Sequence, residues 1–135
     1  MPAVRGGLLA LLLAVTGATA GTATAQPLSF DTTHSRFGFE IRTRFGQRIE
    51  GEFPRFEGWL TVLPDGRHQV RLRMFTAYVQ IPGKPRYTGW MRGEDFFDAA
   101  RYPVVEFESE PFQPDIVHHG GDVHGQLSIR GISRR

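Results

Sequence analysis

The chain has 135 residues, 40% of them hydrophobic and 12% aromatic, with 11 Phe, 16 Gly and 9 Pro; that suffices for one domain and is too short for two. It contains no Cys, which excludes disulfides, thiol catalysis and thiolate metal sites. Sixteen Lys and Arg against 14 Asp and Glu give a formal charge of +2, too balanced for a nucleic-acid-binding surface.

Residues 1–25 read as a secretory signal peptide. Arg5 supplies a positive start, Leu8 to Val15 an apolar run, and Ala23-Thr24-Ala25 a small-residue cleavage site before Gln26, with Ala20 as the alternative cut. The apolar run is too short to span a bilayer, so no stable membrane insertion is expected once the leader is gone. The sequence thus predicts an exported, periplasmic domain over residues 26–135, with one cation fewer than the whole chain because Arg5 is lost.

Beyond the leader, alternation with period two dominates. In "SRFGFEIRTRF" Phe37, Phe39, Ile41 and Phe45 share one face, and Arg36, Glu40, Arg42 and Arg44 the other, as in a half-buried antiparallel strand. "QRIEGEF" repeats the pattern with Ile49 and Phe53 inward, Gly51 marking a close approach, and Pro54 ending the ladder. Next, "FEGWLTVLPDGRHQVRLRMF" predicts a hairpin. Phe56, Gly58, Leu60 and Val62 line one face, Pro64-Asp65-Gly66 turns the chain, and Val70, Leu72 and Met74 return. This strand is expected to run on to about Ile81, where "IPGKPRYTG" breaks it.

Residues 88–99, "TGWMRGEDFFDA", lack alternation and predict one short α-helix, with Trp90, Met91, Phe96 and Phe97 on its apolar side. Two or three turns are too few to stand alone, so packing must hold them. "PVVEFESEPF" is again a strand, with Val105, Phe107 and Ser109 on one face and Val104, Glu106, Glu108 and Glu110 on the other. "IVHHGGDVHGQLSIRGI" predicts a last hairpin turning at Gly120-Gly121, with Val123, Gly125, Leu127 and Ile129 on one face of the return strand. Together these elements predict a mostly β domain, an antiparallel sheet curling toward a barrel.

Four segments, "FDTTHSRFGFEIR", "GEFPRFEGWLTV", "WMRGEDFFDAARYPVVEFES" and "GQLSIRGIS", occur in an order and spacing that resemble the YceI family of exported lipid-binding proteins. "DFFDAARYP" is the diagnostic stretch; Asp31, His34 and Ser35, and Gly51 with Phe53, support it. The resemblance spans residues 28–135 and implies a lipocalin-like antiparallel β-barrel whose apolar interior holds a polyisoprenoid chain or the tail of an isoprenoid quinone. It also implies that the helix bearing Phe96 and Phe97 lies against the barrel, one ring anchoring it and the other turning inward. Members of the family continue for two or three strands past the Gly-Ile-Ser segment, so the resemblance implies a C-terminally truncated sequence, with a naturally short chain whose cavity is an open groove as the alternative. Either way an incomplete barrel is expected, with an exposed edge prone to self-association. The lipid contacts expected on this basis are Phe37, Phe39, Ile41, Phe53, Leu60, Val62, Leu72, Met74, Trp90, Met91, Phe96, Phe97, Val105, Phe107, Leu127 and Ile129.

Other constellations carry less. His118, His119, Asp122 and His124 have the chemistry of zinc ligands, yet adjacent side chains in an extended segment diverge, so a solvated loop and no metal site is expected. Glu106, Glu108 and Glu110 stand about 6.5 to 7 Å apart along a strand, near the spacing of inverting glycosidases, but an exterior acidic stripe is the simpler reading. Asp31, His34 and Ser35 sit too close in sequence to converge as a triad and predict a turn motif. The function expected is therefore periplasmic binding, transport or storage of an isoprenoid lipid, without catalysis and with no cofactor beyond that ligand. The alternatives are a structural or interaction β-module with a filled core, and, remotely, an exported hydrolase using the paired glutamates.

Overall fold

In the computed structural model, which describes residues 27–135, the strands pair antiparallel throughout. The predicted leader, residues 1–25, lies outside the described residues. The strands are β1 (Leu28–Ser29), β2 (Gly38–Arg42), β3 (Arg48–Glu52), β4 (Phe56–Val62), β5 (His68–Phe75), β6 (Val104–Ser109), β7 (Gly125–Ile129) and β8 (Ile132–Arg134). Six of them form one sheet in the order β1-β4-β5-β6-β7-β8, and β2 and β3 form a separate hairpin. The hairpin is tied back by paired hydrogen bonds between Glu52 and Gln80, both of 2.9 Å.

Register explains why one sheet face is apolar and the other charged. Phe56, Met74 and Val105 face one another across β4, β5 and β6; Gly58, Leu72, Phe107 and Leu127 make the adjacent row and reach Arg134 on β8. Because side chains alternate sides, the residues between them build the opposite face. There Arg73 lies between Glu57 and Glu106, 3.5 Å from each, and Arg71 meets Glu108 at 3.1 Å. The apolar face is covered by the hairpin and by helix α1 (Pro85–Arg92), and Phe53, Phe56, Leu72, Met74, Val79, Ile81, Met91, Phe97 and Val105 are buried between them. Among the described residues β1 and β8 do not pair, so the expected lipocalin-like barrel is incomplete and the sheet stays open.

Several boundaries differ from the sequence reading. The strand through Met74 ends at Phe75, not Ile81, because Thr76 turns into a 3-10 turn (Thr76–Tyr78). The Thr76 hydroxyl donates to the Tyr102 carbonyl at 2.8 Å, and its N–H donates to that of Pro103 at 3.0 Å. The helix runs over 85–92 rather than 88–99: Pro85, read as a breaker, takes the first helical turn, where a missing N–H is harmless. The diagnostic stretch after it is a tight reversal in which Asp98 is buried with φ +48°, a left-handed conformation that Asp tolerates better than most residues. The predicted strand "IVHH" is instead a single helical turn, α2 (Asp115–His119), closed by the Gly120 N–H donating to the Ile116 carbonyl at 2.9 Å. Phe45 does not share the inward face of Phe37, Phe39 and Ile41; it sits in the β2–β3 turn, because Gly46 at φ +80° ends the strand.

Candidate functional site

Rings line the inward face in two clusters. Phe37 packs edge-on against Phe56, with centroids 4.6 Å apart, and against Phe30 at 6.1 Å. Phe39, Phe53 and Phe97 form a second cluster at 5.2 to 5.6 Å, in the tilted and edge-to-face arrangements that aromatic quadrupoles favour. Glycines seat these rings. Gly58 lies under Phe30, Gly51 under Phe39, and a Cβ built at Gly125 would come within 2.7 Å of the Phe107 ring. A side chain at Gly51 or Gly58 would push its ring off the sheet, and one at Gly125 would also strike the Glu108 backbone carbonyl.

The two adjacent phenylalanines part company. Phe97 is 8% exposed and joins the second cluster, while Phe96 is 45% exposed. The intervening backbone is fixed by the Phe97 N–H donating to the Met91 carbonyl at 3.0 Å and by Arg130 donating to the carbonyls of Glu94 and Phe96. Helix α1 is held over the same face by Thr88, whose hydroxyl accepts from the Ile81 N–H at 2.9 Å, and by Arg92, which donates twice to the Val79 carbonyl. Met91 is thereby buried, whereas Trp90 is 54% exposed and meets Tyr87 instead. Trp90 and Phe96 accordingly lie outside the packed core, the inward positions being taken by their neighbours Met91 and Phe97.

The remaining expected contacts fall along a gradient of cover. Phe53, Leu72, Met74 and Val105 are buried beneath the hairpin and α1; Phe37, Phe39, Ile41, Phe107 and Ile129 are half-buried against them. Toward β7 and the far end of β4 the cover runs out. Leu60 is half-buried, Val62 is 41% and Leu127 38% exposed, and Leu28 and Ile132, register partners of Leu60 and Ile129, stand exposed on the same face. Periodicity places Leu60, Val62, Leu127 and Ile129 on this face, as the register does, but exposure is set by the covering layer. Val62 and Leu127, expected to be dry, are 41% and 38% exposed. The result is an apolar sheet face, the trough, with packed rings at its centre and exposed aliphatic side chains toward the β1–β4 and β7–β8 edges. Sequence reasoning missed Phe30 in its wall; the signal was Gly58, whose lack of a side chain leaves room for a ring from 28 residues earlier.

The polar constellations lie elsewhere. A concavity of about 750 Å³ opens on the charged face, among Trp59, Gln69, Arg71, Arg73, Glu106, Glu108, Gln126 and Ser128. Glu106 and Glu108 there are each paired with an arginine, and their separation is that of an ordinary strand face. Asp31 accepts from the Thr33 hydroxyl at 2.5 Å and the Thr33 N–H at 2.8 Å, and His34 Nδ1 lies 2.6 Å from its other oxygen. Thr33 first, and then His34, hold the Asp31 carboxyl down at about 2. This is the turn motif expected ahead of β2. Among the described residues no three His, Asp or Glu side chains converge as metal ligands, and His118 and His119 project from α2 into solvent.

An antiparallel sheet with one apolar face under a helix and hairpin, open along one side, is the architecture of a lipocalin-like fold left unclosed. The family model described as YceI-like domain matches residues 28–135, so the chain belongs to the YceI-like family. Among solved structures, Burkholderia cenocepacia BcnA is similar in fold, with a TM-score of 0.57 and 24% identity over 77% of this chain and 65% of that one. A Campylobacter jejuni YceI protein that crystallises with large solvent channels matches at 22% identity and a TM-score of 0.49, over 81% of this chain and 64% of that one. The chain thus spans just under two thirds of the length of these two structures. Comparison with curated proteins gives no match.

Proposed function

We propose that this protein is a non-enzymatic periplasmic carrier whose trough takes up an isoprenoid chain, a polyprenyl lipid or the tail of an isoprenoid quinone. One observation carries the reading: aliphatic side chains on the inward sheet face are exposed at both ends of the strand order, Leu28 and Val62 on β1 and β4 and Leu127 and Ile132 on β7 and β8, with Leu127 directly opposite the half-buried ring of Phe107. An aliphatic chain laid there gains roughly 25 cal/mol for each Å² of apolar surface removed from water. The ion pairs of Arg71 and Arg73 lie on the opposite face, and Arg134, the register partner of Leu127, places a cation at the inward face's β8 edge, so length and apolarity select the ligand and a headgroup meets few partners.

The packing of Phe39, Phe53 and Phe97 favours a second reading, a β-module whose inner end is filled core. Organic extraction of the purified protein followed by mass spectrometry separates the two. The carrier yields an isoprenoid in roughly molar proportion, and the filled module yields none.

A further inference from the structure

We propose that the tip of the β2–β3 hairpin is a docking point for anionic membrane surfaces. Phe45 is 93% exposed at the end of this hairpin, flanked by exposed Arg44. Immediately behind the turn Arg42 and Arg48 stand directly opposite each other across the ladder. Like charges in that relation destabilise a strand pair; here they share one carboxylate oxygen of Glu40, at 3.2 and 3.0 Å. Glu40 and Glu50 face each other farther from the tip, so the hairpin is cationic at its end and acidic behind. With a formal charge of only +2 for the whole chain, three arginines around one bare ring are a local concentration of charge.

Such a tip suits a membrane interface. An aromatic ring enters the headgroup boundary while arginines meet lipid phosphates. The turn brings few unpaired backbone groups with it: the Gly46 N–H donates to the Thr43 carbonyl at 2.9 Å, the Thr43 N–H donates to the Gln47 carbonyl at 2.8 Å, and the Thr43 hydroxyl accepts from the Gln47 N–H at 3.1 Å. The inward face of the same hairpin carries Ile41, Ile49 and Phe39 against the core, so the tip projects from the element that covers the apolar sheet face. Three arginines and one ring give reversible docking, not anchoring. The purpose of this contact rests on the carrier reading, since a lipid carrier must meet a bilayer; the contact itself does not.

The test is co-sedimentation of the protein, expressed from the full chain and purified as the cell leaves it, with two vesicle types. One is pure phosphatidylcholine and the other contains about a quarter phosphatidylglycerol. Binding should be at least about tenfold stronger to the anionic vesicles and should fall at high salt. Phe45→Ser and Arg44→Glu should each reduce it about fivefold or more while leaving the unfolding midpoint unchanged, because both side chains are in solvent. Equal binding to both vesicle types, or variants that bind as the parent does, would overturn the proposal. Loss of vesicle binding from a protein that still carries isoprenoid sinks the tip alone; vesicle binding by an empty protein sinks the carrier reading alone.

Discussion

Phe39 lies over Gly51, its register partner across the β2–β3 ladder, so that a Cβ at Gly51 would clash with the tip of the ring at Cζ. Gly51→Ala should therefore displace Phe39 from Phe53 and Phe97 and destabilise the domain by about 1 to 3 kcal/mol, read as a lowered urea midpoint. In a Phe39→Ala background the same change should cost far less, because the ring it strikes is gone. Equal costs in both backgrounds would show that the ring does not depend on the glycine.

Phe96 and Phe97 should behave oppositely. Phe97→Ala removes the ring that meets both Phe39 and Phe53 and should cost about 3 to 5 kcal/mol. Phe96→Ala, at a half-exposed site, should stay within about 1 kcal/mol. Denaturant unfolding of the two variants side by side decides the assignment.

Ser109 is buried on β6 and its hydroxyl accepts the Val70 N–H at 2.8 Å. Ser109→Ala leaves that donor without a partner at a half-buried site, at a cost of about 1 to 3 kcal/mol. Amide hydrogen exchange at Val70 should accelerate more than at Leu72, whose bonding to β6 is untouched.

The Asp31 turn should be visible in acid. Its carboxyl is held below the usual value by Thr33 and then His34, so the folded protein binds that proton less readily than the unfolded chain. The contribution is fully present above the ordinary aspartate pKa of about 3.9 and is lost as pH falls through about 2. Titration of Asp31 by NMR should give a midpoint near 2 in the parent and one moved upward in Thr33→Val. An unmoved midpoint would remove Thr33 as the cause.

The strands were legible in the sequence where alternation and burial coincide, as in the row Leu72, Phe107 and Leu127, because period two assigns a face without reference to the rest of the fold. Legibility failed where a local device overrode the pattern. Phe45 continues the alternation of β2, but Gly46 turns the chain first. Pro85 looks like a break and begins a helix, and Ile116 to His119 look extended but curl into one turn. The candidate site was readable as a face and unreadable as a depth. Trp90 differs from Met91 in which side of helix α1 it occupies, Phe96 differs from Phe97 in which side of the following reversal it occupies, and Val62 and Leu127 are partly exposed at the margins of the covered face. None of these depends on local spacing.

The central claim, that the open apolar side of the trough holds an isoprenoid chain, is tested most directly by placing a charge there. Leu127→Asp puts a carboxylate on the inward face at a partly exposed position, where the fold can accept it and a bound aliphatic chain cannot without stripping its water. Mass spectrometry of organic extracts from the purified parent and variant, each with its unfolding midpoint recorded, gives the ratio of isoprenoid to protein. The account predicts near-molar isoprenoid from the parent and at least about a tenfold loss from a still folded variant; an empty parent, or equal amounts from both, would contradict it.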